Sequence, residues 1–214
     1  MPWSSKGRGG RSARAPAAFI DPCLPTVAER APSGPLWIHE IKHDGYRLQI
    51  HVRDGRVRLF TRTGVDWSAR YPWIVADAAG LKLRNAIFDA ECCCAGNDGV
   101  TDFDALHSRL NDHQAFAYAF DLLLLDDADM RQVALSERRK ALAGVLKKSK
   151  PGIRFSVHIE ADGATVFGHA CKLGFEGIVS KRVDDPYRSG RARTWIKVKN
   201  KKAPAYLRIQ EGTF

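Results

Sequence analysis

The sequence lacks an apolar run long enough to span a bilayer, and no apolar segment follows the charges of its first residues. We therefore expect no membrane anchor and no secretory signal. A glycine-rich phosphate loop of the GxxxxGK(S/T) type is also absent, which argues against a P-loop nucleotide site. The seven histidines show no metal-ligand spacing, so a zinc site is not expected.

Cysteine is scarce and poorly placed for cross-linking. The five cysteines are an odd number, and three of them, Cys92, Cys93 and Cys94, are contiguous. Because neighbours in a strand point to opposite faces, this triplet suits neither a metal knuckle nor a disulfide framework. We expect reduced thiols in a cytoplasmic protein.

Positive charge is plentiful and unevenly placed. The chain has 214 residues, is 44% apolar, and carries a net charge of +10. Residues 1–20 hold four basic side chains and no acid, and residues 181–202 hold nine basic side chains against two acidic ones. This excess fits a phosphate-rich partner. A solubilising tail with a solvated face would explain the same pattern, and charge alone does not separate the two.

Composition divides the chain into three parts. Residues 1–18 are rich in Gly, Ser, Arg, Ala and Pro without periodicity, which predicts a disordered basic arm. Residues 19–202 form the predicted folded domain, and residues 203–214 a short C-terminal strand or tail. The domain's first segment is expected to be irregular and to wrap the fold because of four prolines: Pro22, Pro25, Pro32 and Pro35.

Apolar periodicity predicts strands that arrive mostly in hairpins, with helices between them but without strict βαβ alternation. Strands are predicted at Leu36–Ile41, Leu48–Arg53, Val57–Phe60, Ala86–Cys92, Ala115–Leu125, Ile153–Ile159, Gly177–Lys181, Thr194–Lys199 and Ala205–Ile209. Helices are predicted at 72–81, Asp102–Leu110, Ser136–Lys148 with Ser136 as N-cap, and Ala161–Leu173 closed by Gly174. This order indicates an α+β fold of mainly antiparallel sheets.

One lysine stands out among these elements. Lys42 ends the first apolar strand, just before an Asp44-Gly45 turn. Burial and neighbouring cations lower the pKa of an ammonium group, which frees the amine as a nucleophile, and Asp44 is close enough in sequence to orient it. An ordinary hairpin with Asp-Gly at its turn is the plainer interpretation.

Charged residues also interrupt apolar strands at five places: Glu40 with Lys42, Asp89 with Glu91, Asp121, Glu176, and Lys197 with Lys199. Because uncompensated buried charge is costly, we expect these groups to converge on one cleft. For Asp121 alone a salt bridge suffices.

Two of these places leave alternatives open. Lys197 and Lys199 are two apart and share a strand face, which suits a bound anion or a lysine-guarded edge strand. Glu176 lies at a strand mouth, where a carboxylate could hold Mg²⁺ or simply be exposed in a turn.

In order along the chain, six segments resemble the collinear motifs of covalent nucleotidyltransferases. They are Lys42-His43-Asp44-Gly45-Tyr46-Arg47, Arg62 with Gly64, Phe88-Asp89-Ala90-Glu91, Phe120-Asp121-Leu122-Leu123, Glu176-Gly177-Ile178-Val179-Ser180-Lys181 and Trp195-Ile196-Lys197-Val198-Lys199. The set is most similar to ATP-dependent DNA ligases, in particular the ligase domain of bacterial end-joining systems, and covers about residues 20–202. The resemblance implies an ATP-grasp-like α+β fold with a nucleotide cleft between its sheets.

The resemblance also implies roles. Lys42 would attack the α-phosphorus of ATP to form lysyl-AMP, and the AMP would pass to the 5′-phosphate of nicked DNA before sealing. Glu40 and the backbone of Ile41 would contact adenine, on which Phe120 would stack. The remaining roles are ribose and phosphate contacts (Arg47, Arg62, Glu91), the α-phosphate (Lys197, Lys199), and a metal, Mg²⁺ or Mn²⁺ (Glu176, with Glu91).

The implied partners are nicked or broken duplex DNA and other end-joining repair proteins, for a monomer in the bacterial cytoplasm that joins the nucleoid when on DNA. Two features depart from the family pattern. Ala90 stands where Gly is usual, and the dozen residues after Lys202 are too few for the OB-fold that normally follows. A minimal ligase, an adenylation domain that needs a partner, and a piece of a longer protein all remain open.

Three functional hypotheses follow. The first is the catalytic core of an ATP-dependent DNA ligase. The second keeps the fold but changes the substrate, as in an RNA ligase or a capping-type guanylyltransferase, although Glu40 suits adenine. The third is a non-catalytic DNA-binding relative.

Overall fold

The described part of the chain folds into two β-sheets and five α-helices. The structure, a computed structural model, describes residues 19–96 and 99–211, with side chains described as far as residue 208. The predicted basic arm, residues 1–18, lies outside the described residues. The strands are β1 (Cys23–Val27), β2 (Trp37–Ile41), β3 (Tyr46–Arg53), β4 (Arg56–Thr61), β5 (Asn85–Cys93), β6 (Phe116–Leu125), β7 (Ala128–Asp129), β8 (Ile153–Phe155), β9 (His158–Ile159), β10 (Gly177–Arg182) and β11 (Gly190–Lys199). The helices are α1 (Pro72–Gly80), α2 (Phe103–His107), α3 (Leu135–Leu146), α4 (Gly163–Lys172) and α5 (Pro204–Glu211), with short 3₁₀ turns at Asp112–Gln114 and Met130–Gln132.

The first sheet has the strand order β1-β11-β10-β2-β9, and the second has the order β4-β3-β5-β6-β7, with β8 paired to β6. Neighbouring strands are antiparallel except for β1 with β11 and β8 with β6. The predicted fold class, α+β with mainly antiparallel sheets, is confirmed.

Three apolar clusters hold these layers together. The largest packs α1 and α3 against the second sheet and includes Leu48, Ile50, Leu59, Ile74, Phe88 and Leu142. Another fills the space between the two sheets with Ile20, Ile87, Phe120, Leu124, Tyr187 and Trp195. A third seats α4 on the first sheet through Val166, Ala170, Ile178 and Val198. Each such side chain contributes about 1.5–3 kcal/mol when fully buried, so the sheets are fixed relative to each other around the cleft.

The hairpin interpretation of the Lys42 segment is wrong. Strands β2 and β3 belong to different sheets, so residues Lys42 to Gly45 carry the chain from one sheet to the other. Gly45 passes so close to β5 that a Cβ there would overlap the carbonyl oxygen of Cys92 and lie 2.9 Å from the Sγ of Cys93. A side chain at this position would push the crossover away from the second sheet.

The proline-rich start is more regular than predicted. Residues Cys23–Val27 form β1, which pairs parallel with β11 and shifts register between Pro25 and Thr26. Because β1 is an edge strand with an irregularity at its proline, the missing N–H costs no ladder hydrogen bond in the sheet interior.

Three other predictions need correction. Residues Ala205–Ile209 lie in helix α5, which Pro204 begins, a position where proline's missing N–H costs nothing. The predicted strand Ile153–Ile159 is two short strands in different sheets. Helix α3 begins after Ala134, so Ser136 is not its N-cap.

Other local predictions are confirmed. The predicted strands Leu48–Arg53 and Val57–Phe60 form a hairpin, and its turn at Asp54-Gly55 has positive φ at both residues, 47° and 76°, as a tight turn with matched twist requires. Gly174 follows α4 with φ 82°. All five cysteines are free, and burial raises the pKa of each thiol. Within the described residues, no helix has the length and apolar character needed to cross a membrane.

Candidate active site

Lys42 lies at the floor of a cleft of about 760 Å³ between the two sheets. Strand β2 delivers it there, and its backbone N–H donates to the carbonyl of Gly177 at 2.9 Å. Its Nζ donates to Oε2 of Glu176, and 22% of the side chain stays exposed. Lys42, the candidate nucleophile, is therefore held by hydrogen bonds at its backbone and at its ammonium group, and part of its side chain is exposed in the cleft.

Glu176, rather than Asp44, is the direct partner of this lysine. Its carboxylate is 5% exposed, and its second oxygen lies 3.8 Å from Nζ of Lys199. Asp44 pairs instead with Arg208 of helix α5, so the prediction that Asp44 orients Lys42 is wrong. The sequence could not show this contact because it joins residues 134 positions apart.

The two lysines of β11 lie on an interior strand, between β1 and β10, which excludes the guarded-edge alternative. Lys197 lines the cleft. Burial, and then the charges of Lys42 and Lys199, lower the pKa of Lys197. Three ammonium groups thus crowd one end of the cleft, and an anion bound there would relieve their repulsion.

Two acidic residues on β5 face the same region. Burial raises the pKa of Glu91 to about 7, although Lys42 and Arg47 act in the opposite direction. Arg47 makes a bidentate pair with Asp89, with N–O distances of 2.6 and 2.7 Å. Asp89 also accepts from the hydroxyl of Tyr187 at 2.7 Å. Arg47 therefore lines the cleft with its guanidinium already partly occupied.

Another wall of the cleft is built around Glu40, a residue of β2 that is only 3% exposed. Its Oε1 accepts from Arg139 at 2.6 Å and from Lys181 at 2.9 Å. Its Oε2 accepts from Lys181 at 2.9 Å and from the hydroxyl of Ser156 at 3.3 Å. Two cations thus compensate one buried carboxylate and fix its orientation.

Phe120 forms part of the same wall. The Nζ of Lys181 lies 4.3 Å from the centre of its ring, and the guanidinium carbon of Arg47 lies 4.6 Å from it. Trp195 packs edge-on against Phe120 at 6.1 Å. Aromatic surface, a buried carboxylate and Lys181 therefore meet at this wall, whereas Lys42, Lys197 and Lys199 lie around Glu176.

The structure brings most of the predicted site residues to one cleft. Those that line it are Glu40, Ile41, Lys42, Arg47, Arg62, Glu91, Phe120 and Lys197. Glu176 reaches it through its ion pair with Lys42, and Lys199 through its 3.8 Å contact with Glu176. Asp121 lies behind the cleft in a fully buried bidentate pair with Arg138, at 2.7 and 2.9 Å, as predicted.

Two residues of this site were given no role from the sequence. Lys181 interrupts an apolar strand, and that signal was available. Arg139 is buried on α3, in a helix segment where Arg138, Arg139 and Lys140 are adjacent. Charge in an amphipathic helix normally faces solvent, so only the tertiary structure identifies Arg139 as a partner of Glu40.

The residues present suit a magnesium-type ion. Among the described residues, no group of three or more His, Cys, Asp or Glu side chains could hold a metal ion by itself. Mg²⁺, however, is usually bound by one or two carboxylates together with substrate phosphates and water. Glu176 lies near enough to Glu91 to raise the pKa of its carboxyl group, and the two would supply such a pair.

A cleft between two mainly antiparallel sheets, with the motif lysine on its floor, is the arrangement that the motifs of a covalent nucleotidyltransferase domain predict. Residues 25–199 match the family model described as the ATP dependent DNA ligase domain, and the chain therefore belongs to that family. The predicted resemblance is confirmed.

Several similar proteins are named for bacterial end joining or for its ligase, LigD. The multifunctional non-homologous end joining protein LigD of Pseudomonas aeruginosa is 37% identical over 198 residues, which cover 91% of this chain and 23% of that protein. The crystal structure of the ligase domain from M. tuberculosis LigD superposes with a TM-score of 0.75 at 32% identity, covering 84% of this chain and 60% of that one. A mycobacterial DNA ligase D complexed with ATP and MES has the same TM-score at 31% identity and the same coverage. The chain thus spans about a quarter of the curated relative and 60% of each solved chain.

Proposed function

We propose that this domain is the adenylating core of an ATP-dependent DNA ligase. The observation that carries the proposal is the position of Lys42, held by Glu176 in the cleft with Lys197 and Lys199 beside it. The residue types and their separation along the cleft suit a nucleotide, with its base toward Glu40 and its phosphates toward the lysines.

The first step would form a bond between Nζ of Lys42 and the α-phosphorus of ATP and break the bond from that phosphorus to pyrophosphate. The attacking nitrogen must lose a proton, and Glu176 is the carboxylate in contact with it. Lys197 and Lys199 would stabilise the charge that develops on the phosphate oxygens. In this step the protein contributes mainly positioning and electrostatic stabilisation.

Glu40, the Ile41 backbone and Phe120 would hold the adenine, and Arg47, Arg62 and Glu91 the ribose and phosphate region. Glu176 and Glu91 would hold Mg²⁺ or Mn²⁺, which supplies charge neutralisation at the phosphates when bound. Because Asp89 already engages Arg47, we expect Arg62, exposed at the mouth of the cleft, to be the freer of the two arginines.

In the second and third steps the AMP would pass from Lys42 to the 5′-phosphate of a DNA nick, and the 3′-hydroxyl would displace it as the strand is sealed. Nicked or broken duplex DNA is the proposed substrate, other end-joining repair proteins are the proposed partners, and the bacterial cytoplasm and nucleoid the proposed location. The adenylating unit is proposed to span residues 19–202, with α5 packed on it.

The test is transfer of label from ATP. With α-labelled ATP and Mg²⁺, the protein is expected to acquire one acid-labile label, which nicked DNA then discharges. Lys42→Ala should reduce labelling at least a thousandfold because no other group replaces the nucleophile. Lys148→Ala, on an exposed lysine away from the cleft, is the matched control.

Labelling that survives Lys42→Ala would contradict the proposal. An adduct formed from GTP as readily as from ATP would favour a capping-type enzyme. Discharge by nicked RNA but not by nicked DNA would favour an RNA ligase.

A further inference from the structure

A row of arginines lies at the outer end of the second sheet. Strand β4 is the edge of that sheet, and it pairs with β3 so that Arg56 faces Arg53 and Arg58 faces His51. Directly paired residues point to the same face. Arg53, Arg56 and Arg58 are exposed and share one face of the β3–β4 hairpin; we refer to them as the arginine row.

The arginine row continues the face that lines the cleft. On β3, Arg47 and Arg53 are six residues apart and therefore point to the same side. Between them, Gln49 bonds to Ile20 at 3.3 Å, and Phe19 contacts Phe60 edge-on at 6.3 Å. This face of the sheet therefore lines the cleft at one end, is covered by Phe19 and Ile20 in the middle, and is exposed at the end that carries the arginines.

Little negative charge compensates this row. Among the described residues, Arg53 and Arg56 have no ion pair, and Arg58 has one long contact of 3.9 Å with Asp66. Asp54 is the acid in the turn between them. Like charges placed directly opposite each other on paired strands are destabilising. A bound external anion would relieve the repulsion between Arg53 and Arg56.

The spacing suits a polyanion. Arg56 and Arg62 are six residues apart, which is about 20 Å along a strand. Arg62 lies at the mouth of the cleft, so the row leads away from the reacting end of the site. A duplex presents one phosphate per 3.4 Å of axis on each strand, so roughly six phosphates of one strand span this distance.

We propose that the arginine row is a phosphate-backbone contact surface that holds duplex DNA beside the nick. This inference rests on the proposed ligase function, and it adds where the DNA lies: across the end of the β3–β4 hairpin, on the face that continues from the cleft. The contact would be independent of base sequence because only phosphates are bound. Edge protection against strand pairing is the competing explanation for exposed arginines on β4.

The experiment compares two triple variants, each of which removes three positive charges from a different surface. Arg53→Ala/Arg56→Ala/Arg58→Ala is compared with Lys140→Ala/Lys147→Ala/Lys148→Ala, three exposed lysines on and just after α3. Binding of a nicked duplex is measured across a salt series, and lysyl-AMP formation is measured without DNA. In the arginine variant, the magnitude of the slope of log K against log salt should fall by about 2–3, because each phosphate contact contributes about 0.9 to it. Its lysyl-AMP formation should stay within twofold of the parent, and the lysine variant should keep most of the parental slope.

An unchanged slope in the arginine variant, or an equal loss in the lysine variant, would overturn the proposal. Self-association of the arginine variant with unchanged DNA binding would favour edge protection. Absence of lysyl-AMP in the parent would instead count against the proposed function, so the two failures are distinguishable.

Discussion

Glu40 shows how two neighbouring cations can hold a buried carboxylate in its charged form at a site. The side chain is almost fully buried, and a lone charge there would be costly. Arg139 and Lys181 compensate it with bonds of 2.6 to 2.9 Å. Burial, the largest influence, lowers the pKa of Lys181, and Glu40 opposes that shift. The carboxylate is thereby fixed at the aromatic end of the cleft.

Replacing Lys181 should therefore weaken ATP binding more than catalysis. In Lys181→Met, Glu40 keeps Arg139 but loses the cation that bonds both its oxygens. We expect the KM for ATP in lysyl-AMP formation to rise about tenfold, equivalent to about 1.4 kcal/mol, while the rate at saturating ATP changes less than threefold.

The control for this prediction is Lys148→Met, which removes an exposed lysine, and Lys181→Arg should restore part of the affinity. An unchanged KM together with an unchanged preference for ATP over GTP would show that Glu40 does not contact the base.

At the scale of elements, the crossover from β2 to β3 decides where the nucleophile lies. Its first residue is hydrogen-bonded to Gly177, in the first sheet, and Gly45 lies against Cys92, in the second. The segment is therefore held to the first sheet at Lys42 and to the second sheet at Gly45.

Gly45→Ala should disturb the crossover because its Cβ would overlap the backbone oxygen of Cys92. Backbone cannot yield as a flexible side chain does, so we expect a loss of about 2–4 kcal/mol in the free energy of unfolding. Lysyl-AMP formation should fall at least tenfold in the fraction that remains folded, because Lys42 moves with the crossover.

Gly168→Ala in α4 is the matched control, since no atom lies within 4 Å of a Cβ built there. It should be neutral or stabilise by up to about 1 kcal/mol through the higher helix propensity of alanine. Chemical denaturation measures both variants, and equal stability of the two would refute the steric explanation.

For the whole molecule, acid should reduce stability. Burial lowers the pKa of His43 and of His51 to about 4. Below pH 6.5 the unfolded chain gains protons at these sites and the folded chain does not, so their stabilising contribution is present above 6.5 and is lost toward pH 4. Glu91, whose pKa is raised to about 7, acts oppositely, because the folded chain gains its proton first as pH falls.

Between pH 7 and pH 5, each histidine lowers the free energy of unfolding by at most about 2 kcal/mol, and Glu91 raises it by about the same amount. We therefore expect the free energy of unfolding to fall by about 2 kcal/mol in total. His51→Gln should remove most of this loss, and His113→Gln, at an exposed position, should leave it unchanged. Denaturant titrations at the two pH values measure it. The same pH dependence in His51→Gln and in the parent would contradict the assignment.

The motifs made the cleft predictable to a large extent. Lys42, Glu91 and Lys197 interrupt apolar strands, and a charge in such a place needs a partner, either an ion pair, as Asp121 has, or a shared site. Local periodicity likewise predicted β6, α1 and α4 to within two residues at each end.

What the sequence by itself determined about this protein is its family and its strand and helix content, because residue types and their spacing carry both. The tertiary structure alone decided that β2 and β3 lie in different sheets, that Glu176 rather than Asp44 holds Lys42, and that Arg139 reaches Glu40. The physical reason is distance along the chain: periodicity reports which face of an element is apolar, but contacts between residues about a hundred positions apart exist only after the sheets have packed.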